Sequence, residues 1–125
     1  MPTTNRKHRL TLFALGLLAF AAACTESGQP SPAILDYALS AAPSDARIAE
    51  IYQRSCMACH SRSTSGAPLT GHHDAWNTRM EQGMEKLVSN VVSGMGAMPP
   101  YGLCMDCSVA EFQALIGFMS TPAQP

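Results

Sequence analysis

Hydrophobic and polar positions divide the chain into three unequal parts. Leu10 to Ala23 is an apolar run without a charge, preceded by Arg6, Lys7 and Arg9. It is short for a bilayer span, which takes about 20 apolar residues. A basic start, a short apolar core and a small-residue exit match a secretory signal. Between residues 24 and 43 the apolar period is lost, and Gly28, Pro30, Pro32 and Pro43 interrupt the stretch. That composition predicts a tether, in which "AILDYALS" could make a turn or two of helix. Helical spacing begins after Ser44. Ile48, Ile51, Tyr52 and Ser55 share one face, with Ser44 or Asp45 as N-cap, and predict a helix running into Cys56–His60. A second helix is predicted over about 75–82, where Trp76 and Met80 are four residues apart. A third covers about 84–93, with Leu87, Val88, Val91 and Val92 as its apolar face. The last starts at a capping box of Ser108 and Glu111, buries Phe112, Leu115, Ile116 and Met119, and stops at Pro122. No alternating run is long enough for a strand. The expected class is all-α, with two long loops, "SRSTSGAPLTGHHD" and "GMGAMPPYGLCMDC". The apolar helices are few and short, and a large buried ligand would make up the shortage.

Charge and length narrow this further. The chain has 125 residues, enough for one domain. Three of its eight Lys and Arg residues lie in the leader, which leaves five basic against nine acidic residues, a net charge of −4. Nucleic-acid binding needs a basic face, so that class is excluded. The leader ends "AFAAAC", which resembles a bacterial lipobox in which Cys24 is acylated and becomes the mature N-terminus. Ala21 departs from that pattern, where a larger aliphatic residue is usual. The expectation is a signal peptide over 1–23, a tether over 24–43 and a single, monomeric domain over 44–125. The location is periplasmic, with membrane attachment by lipid at Cys24 or, alternatively, a soluble exported form.

Five cysteines remain to be read: Cys24, Cys56, Cys59, Cys104 and Cys107. The two C-x-x-C pairs could hold zinc, but 44 residues separate them, against about 15–20 in zinc ribbons. An exported chain also favours oxidised over free thiols. A thioredoxin-like site needs a strand-helix frame that the pattern does not offer. The stretch "CMACH", residues 56–60, has a third reading, because C-x-x-C-H is the attachment signature of c-type haem. Two cysteines three residues apart at a helix end can each bond one of two neighbouring vinyl groups, and the next imidazole then points at the iron. One covalent haem c held by Cys56, Cys59 and His60 is the expectation. Cys104 and Cys107 most simply form a short disulfide, since a C-x-x-C turn holds its Cα atoms within bonding reach. For the second axial ligand, Met95 and Met98 lie in the glycine-rich loop. Met98 precedes Pro99 and Pro100, which hold the backbone extended and stiff, so Met98 is favoured. A soft thioether raises the reduction potential, and two filled axial sites suit electron transfer.

With these residues in view, the chain resembles the bacterial class I cytochromes c, and within them the cytochrome c5 group, over about residues 48–119. The resemblance is carried by "CMACH", "GAP" at 66–68, Trp76, Arg79, "AMPP" at 97–100 and "CMDCS". It implies the small class I cytochrome c fold, helices and long loops wrapped around one haem. It also implies His60 and Met98 as axial ligands and Pro68 as the carbonyl that orients His60. Trp76 and Arg79 would lie near a haem propionate, and Cys104 and Cys107 would form the disulfide typical of the group. Ser63 stands where the group usually has Gly, His72 where it has Asp, and Tyr101 where a basic residue is common. His72 and His73 are expected as a solvated loop pair. The implied function is a one-electron carrier between redox partner proteins, and not an enzyme. The alternatives are a haem subunit of a larger oxidoreductase and a haem peroxidase with an open iron site.

Overall fold

The computed structural model describes residues 29–123, so the proposed leader and Cys24 lie outside the described residues. Ser31 caps the first helix by accepting from the Ile34 amide, and Pro32 opens it at a position where a missing N–H costs nothing. This helix, α1 (Pro32–Ser40), takes up part of the segment expected to be a tether, and it buries Ala38 completely. Asp45 is the N-cap of α2 (Ala46–Ile51), its carboxylate accepting from the Ile48 amide at 2.9 Å. The expected long helix into the cysteine motif is present with a change of winding. Tyr52–Cys56 forms a π turn, and α3 (Met57–His60) follows it. Such a turn widens the spiral by one residue and so rotates everything after it, a feature frequent at functional sites.

After the loop come α4 (His73–Met80), two residues earlier than the periodicity predicts, and α5 (Met84–Ser93), where the pattern places it. The chain closes with α6 (Val109–Ser120). Its capping box is complete: the Ser108 hydroxyl accepts from the Glu111 amide, and the Glu111 carboxylate accepts from the Ser108 amide at 2.8 Å. No strand occurs among the described residues, apart from one isolated antiparallel bridge between Met95 and Met98.

The core joins the face of α6 (Phe112, Leu115, Ile116, Met119) to Ile51 and Tyr52 of the first helical run, Leu87 and Val88 of α5, and Trp76 of α4. Cys56, Met57, Met80, Met84 and Tyr101 pack around this cluster half-buried. Those partly covered residues mark the side of the core that the loops and the cysteine motif share.

Candidate functional site

Cys56 ends the π turn, Cys59 lies in α3, and His60 closes it. Neither cysteine is paired with another. Burial pushes the Cys56 thiol up to about 11, against a smaller opposing pull from Arg54. A thiol so high is protonated at neutral pH, unlike the low-pKa thiolates of exchange enzymes. The four motif cysteines do not assemble into a zinc site. Among the described residues, the only three His, Cys or acidic side chains close enough to share an ion are Cys104, Asp106 and Cys107.

His60 is 6% exposed. Its Nδ1 lies 2.8 Å from the Pro68 carbonyl oxygen. A carbonyl only accepts, so Nδ1 carries the proton and Nε2 carries the free lone pair. Among the described residues Nε2 makes no hydrogen bond and no unpartnered side-chain nitrogen or oxygen is sealed from solvent, so Nε2 remains accessible. Burial holds the imidazole below its ordinary pKa, opposing the Pro68 bond and aided by the Arg79 charge. A neutral, oriented imidazole with one open nitrogen is the form that ligates a metal. Beside the two unpaired cysteines, this donor set fits a covalently held haem.

The loop after His60 is held at several points. Thr70 donates its amide to the His60 carbonyl at 2.8 Å, and its hydroxyl pairs with the Tyr52 hydroxyl at 2.9 Å in the interior. Trp76 is stacked on the His60 ring, inclined by 28° with 5.9 Å between centroids. Its indole N–H donates to Leu69 O at 2.8 Å, so that donor is already taken by backbone. Arg79 donates to Ala75 O one turn back in α4. His72, expected in solvent, is buried at the start of α4, while His73 is exposed. The difference follows from the turn: the backbone of His72 closes it by donating to Leu69 O, which draws this position inward.

Met98 lies in a tight hairpin, where Met95 and Met98 exchange both backbone hydrogen bonds at 3.0 Å. Met98 is half-buried and Met95 is 59% exposed. The Met98 methyl group lies 3.2 Å from where a Cβ on Gly102 would stand, so the absent side chain leaves room for the thioether end. Pro99 is extended (ψ 158°), as its proline neighbour requires. Tyr101, Gly102 and Leu103 then run through left-handed backbone, with φ of 58°, 54° and 66°. For Tyr101 and Leu103 that is uncommon and strained. The turn ends where Cys104 and Cys107 bring their sulfurs together, with Cα atoms 5.4 Å apart. Arg54, two residues before Cys56, donates to both oxygens of Asp106 at 2.8 and 2.9 Å. The cysteine motif and the methionine loop are thereby fastened side by side.

Sequence reasoning passed over Thr70, Tyr52 and Arg54 as site residues. Tyr52 was visible as an apolar position. The roles of Thr70 and Arg54 depend on partners 18 and 52 residues away, which no local pattern reveals.

Comparison with known proteins agrees with this geometry. Residues 43–119 match the family model described as cytochrome C oxidase, cbb3-type, subunit III. A cytochrome c5 of Azotobacter vinelandii is 41% identical over 73 residues, 57% of this chain and 88% of the relative. A cytochrome c5 of Ectopseudomonas mendocina is 38% identical over 73 residues, 57% of this chain and 84% of the relative. Among solved structures, a mono-heme ferrocytochrome c from Shewanella putrefaciens superposes with a TM-score of 0.55 at 38% identity, covering 61% of this chain and 94% of the other. A chain in the crystal structure of an electron transfer complex of nitrite reductase with cytochrome c gives 0.54 at 32%, covering 61% and 93%. The chain therefore belongs to the class I cytochromes c, in the cytochrome c5-like group, and is a covalent haem c electron carrier rather than an enzyme.

Proposed function

We propose that Cys56 and Cys59 carry the haem as thioethers and that His60 and Met98 are its axial ligands. The observation that carries this reading is the bond from His60 Nδ1–H to Pro68 O, on the residue directly after the cysteine pair. It fixes the ring and leaves Nε2 as the one nitrogen free to ligate. It also makes the imidazole a stronger donor. Haem c supplies the one-electron couple. The chain supplies burial on the histidine side, a stiff methionine loop and the stacking of Trp76 on His60. With His60 and Met98 both ligating, a bound haem would supply one-electron transfer and leave no position at iron for a substrate. Arg79, with its charge near His60, is the better candidate for a propionate contact, since Trp76 spends its N–H on Leu69.

Cys104 and Cys107 form a disulfide that closes the methionine loop. The leader exports the chain to the periplasm, and Cys24 is acylated there, so that the domain is held at a membrane. Among the described residues no helix is long and apolar enough to cross one. The partners are redox proteins, and the neighbour from a nitrite reductase complex supports a redox enzyme as one class of partner. Because this chain covers most of each cytochrome c5 relative, a free carrier is favoured over a subunit of a larger oxidoreductase.

The test is intact-mass spectrometry of protein matured in a haem-attaching host, with the ferric spectrum of the same sample. The expected masses show one porphyrin gained, residues 1–23 lost, an acyl group on Cys24 and two hydrogens missing. The expected spectrum is low-spin with the weak Met–Fe(III) band. A colourless protein, or a ferrous form that binds carbon monoxide readily at rest, overturns the two-ligand reading.

A further inference from the structure

Helix α1 precedes the stretch shared with the family model, which begins at residue 43. It is nevertheless built into the domain. Ala38 is fully buried, and the ring of Tyr37 lies directly over the backbone of Gly71. A Cβ at Gly71 would stand 2.5 Å from two carbons of that ring, and its φ of 81° is left-handed, so only glycine admits the contact. Gly71 also donates to Met119 O at 2.8 Å and accepts from the Ala123 amide at 3.0 Å. Gly71 is thus clamped between α1 and the end of α6. At the start of the same segment, Pro30 shares the wall of a cavity of about 260 Å³ with Pro68, Leu69, His72 and Arg79. The added segment therefore packs on the loop 68–71 at Gly71 and lines a cavity in common with Pro68 and Leu69. That loop provides the acceptor for His60 Nδ1–H and, through Thr70, a donor to the His60 carbonyl.

We propose that α1 is a brace for the loop that orients His60, with Tyr37 as its positioning residue. It holds Gly71 in place, keeps water from the interior side of the loop and so keeps the Pro68 carbonyl aimed at the imidazole. This inference rests on His60 as the axial ligand, and the test separates the two.

The experiment follows proton exchange by NMR in the ferrous holoprotein, at the ring N–H of His60 and the amide of Thr70. In Tyr37→Ala both protons exchange roughly tenfold faster or more, while protected amides in α5 keep their rates, because the opening is local. Tyr37→Phe keeps the ring and restores the slow rates. Leu39→Ala, on the exposed side of the same helix, changes nothing. Tyr37→Leu gives a smaller change in the same direction and serves if the alanine variant does not mature. Unchanged rates at His60 and Thr70, or equal acceleration of every protected amide, overturn the brace. A low-spin, six-coordinate spectrum surviving in His60→Ala overturns the ligand assignment instead, whatever the exchange rates.

Discussion

The histidine side and the methionine side of this site are held by different means. His60 sits in a buried network in which its ring, its carbonyl, Thr70, Tyr52, Leu69 and Trp76 satisfy one another. Met98 is held by backbone: a two-bond hairpin, two prolines, three left-handed residues and a cysteine pair. The first arrangement draws its rigidity from desolvated hydrogen bonds, where an unmade bond is costly. The second draws it from removing conformations in advance. It can therefore stay near the surface, and Leu103 and Met105 are 68% and 72% exposed. The histidine side should fail abruptly when one partner is lost, and the methionine side should degrade in steps.

The largest effect tests that difference directly. His60→Ala prevents recovery of a stable low-spin holoprotein, whereas Met98→Ala matures but loses the Met–Fe(III) band and shifts to a lower potential. Haem content by mass and the ferric spectrum of both variants check this. A Met98→Ala protein that keeps the band would move the ligand to Met95, on the opposite arm of the same hairpin.

Next is Thr70→Val, which removes the hydroxyl facing Tyr52 in the interior and should cost about 1–3 kcal/mol of stability. Denaturant unfolding of the holoprotein reads it. Its counterpart on the other side is Cys104→Ala with Cys107→Ser, expected to cost about 2 kcal/mol because the closed loop is short. That double variant should keep its axial ligands, which the spectrum reports separately from the unfolding midpoint.

The smallest effect is electrostatic and lies at the start of α6. Bonds from the Ser108 backbone, and then from Arg47, hold the Glu111 carboxyl below its ordinary value. A depressed carboxylate adds stability that is complete above its unfolded value, about 4.3, and is lost as pH falls through the folded value. Glu111→Gln should therefore be less stable than the parent at neutral pH and indistinguishable from it in strong acid. Thermal unfolding as a function of pH measures the convergence. The group is exposed, so the difference is small and shrinks with salt.

Much of the site could be read before any coordinate. "CMACH" specifies its chemistry by spacing alone, and Pro99 beside Met98 restricts the backbone whatever the surroundings. The Asp45 and Ser108 caps act within one turn, so local sequence carries them in full. The π turn over Tyr52–Cys56, which packs on the Pro100–Leu103 turn, was not legible, because no residue in that stretch marks a change of winding. The burial of His72 and the donor choice of Trp76 were hidden for a similar reason. A polar side chain takes whichever partner the fold brings near, and that partner is Leu69 O for Trp76.

The order of residues alone determined the helical class, the caps, the cysteine-histidine motif and the stiffness of the methionine loop, because each is a matter of a few bonds along the chain. Only the tertiary structure decided that Pro68 O meets His60, that Arg54 binds Asp106 and that α1 lies on Gly71. Those contacts arise when separate segments share one core and exclude water together, and no segment encodes that meeting by itself.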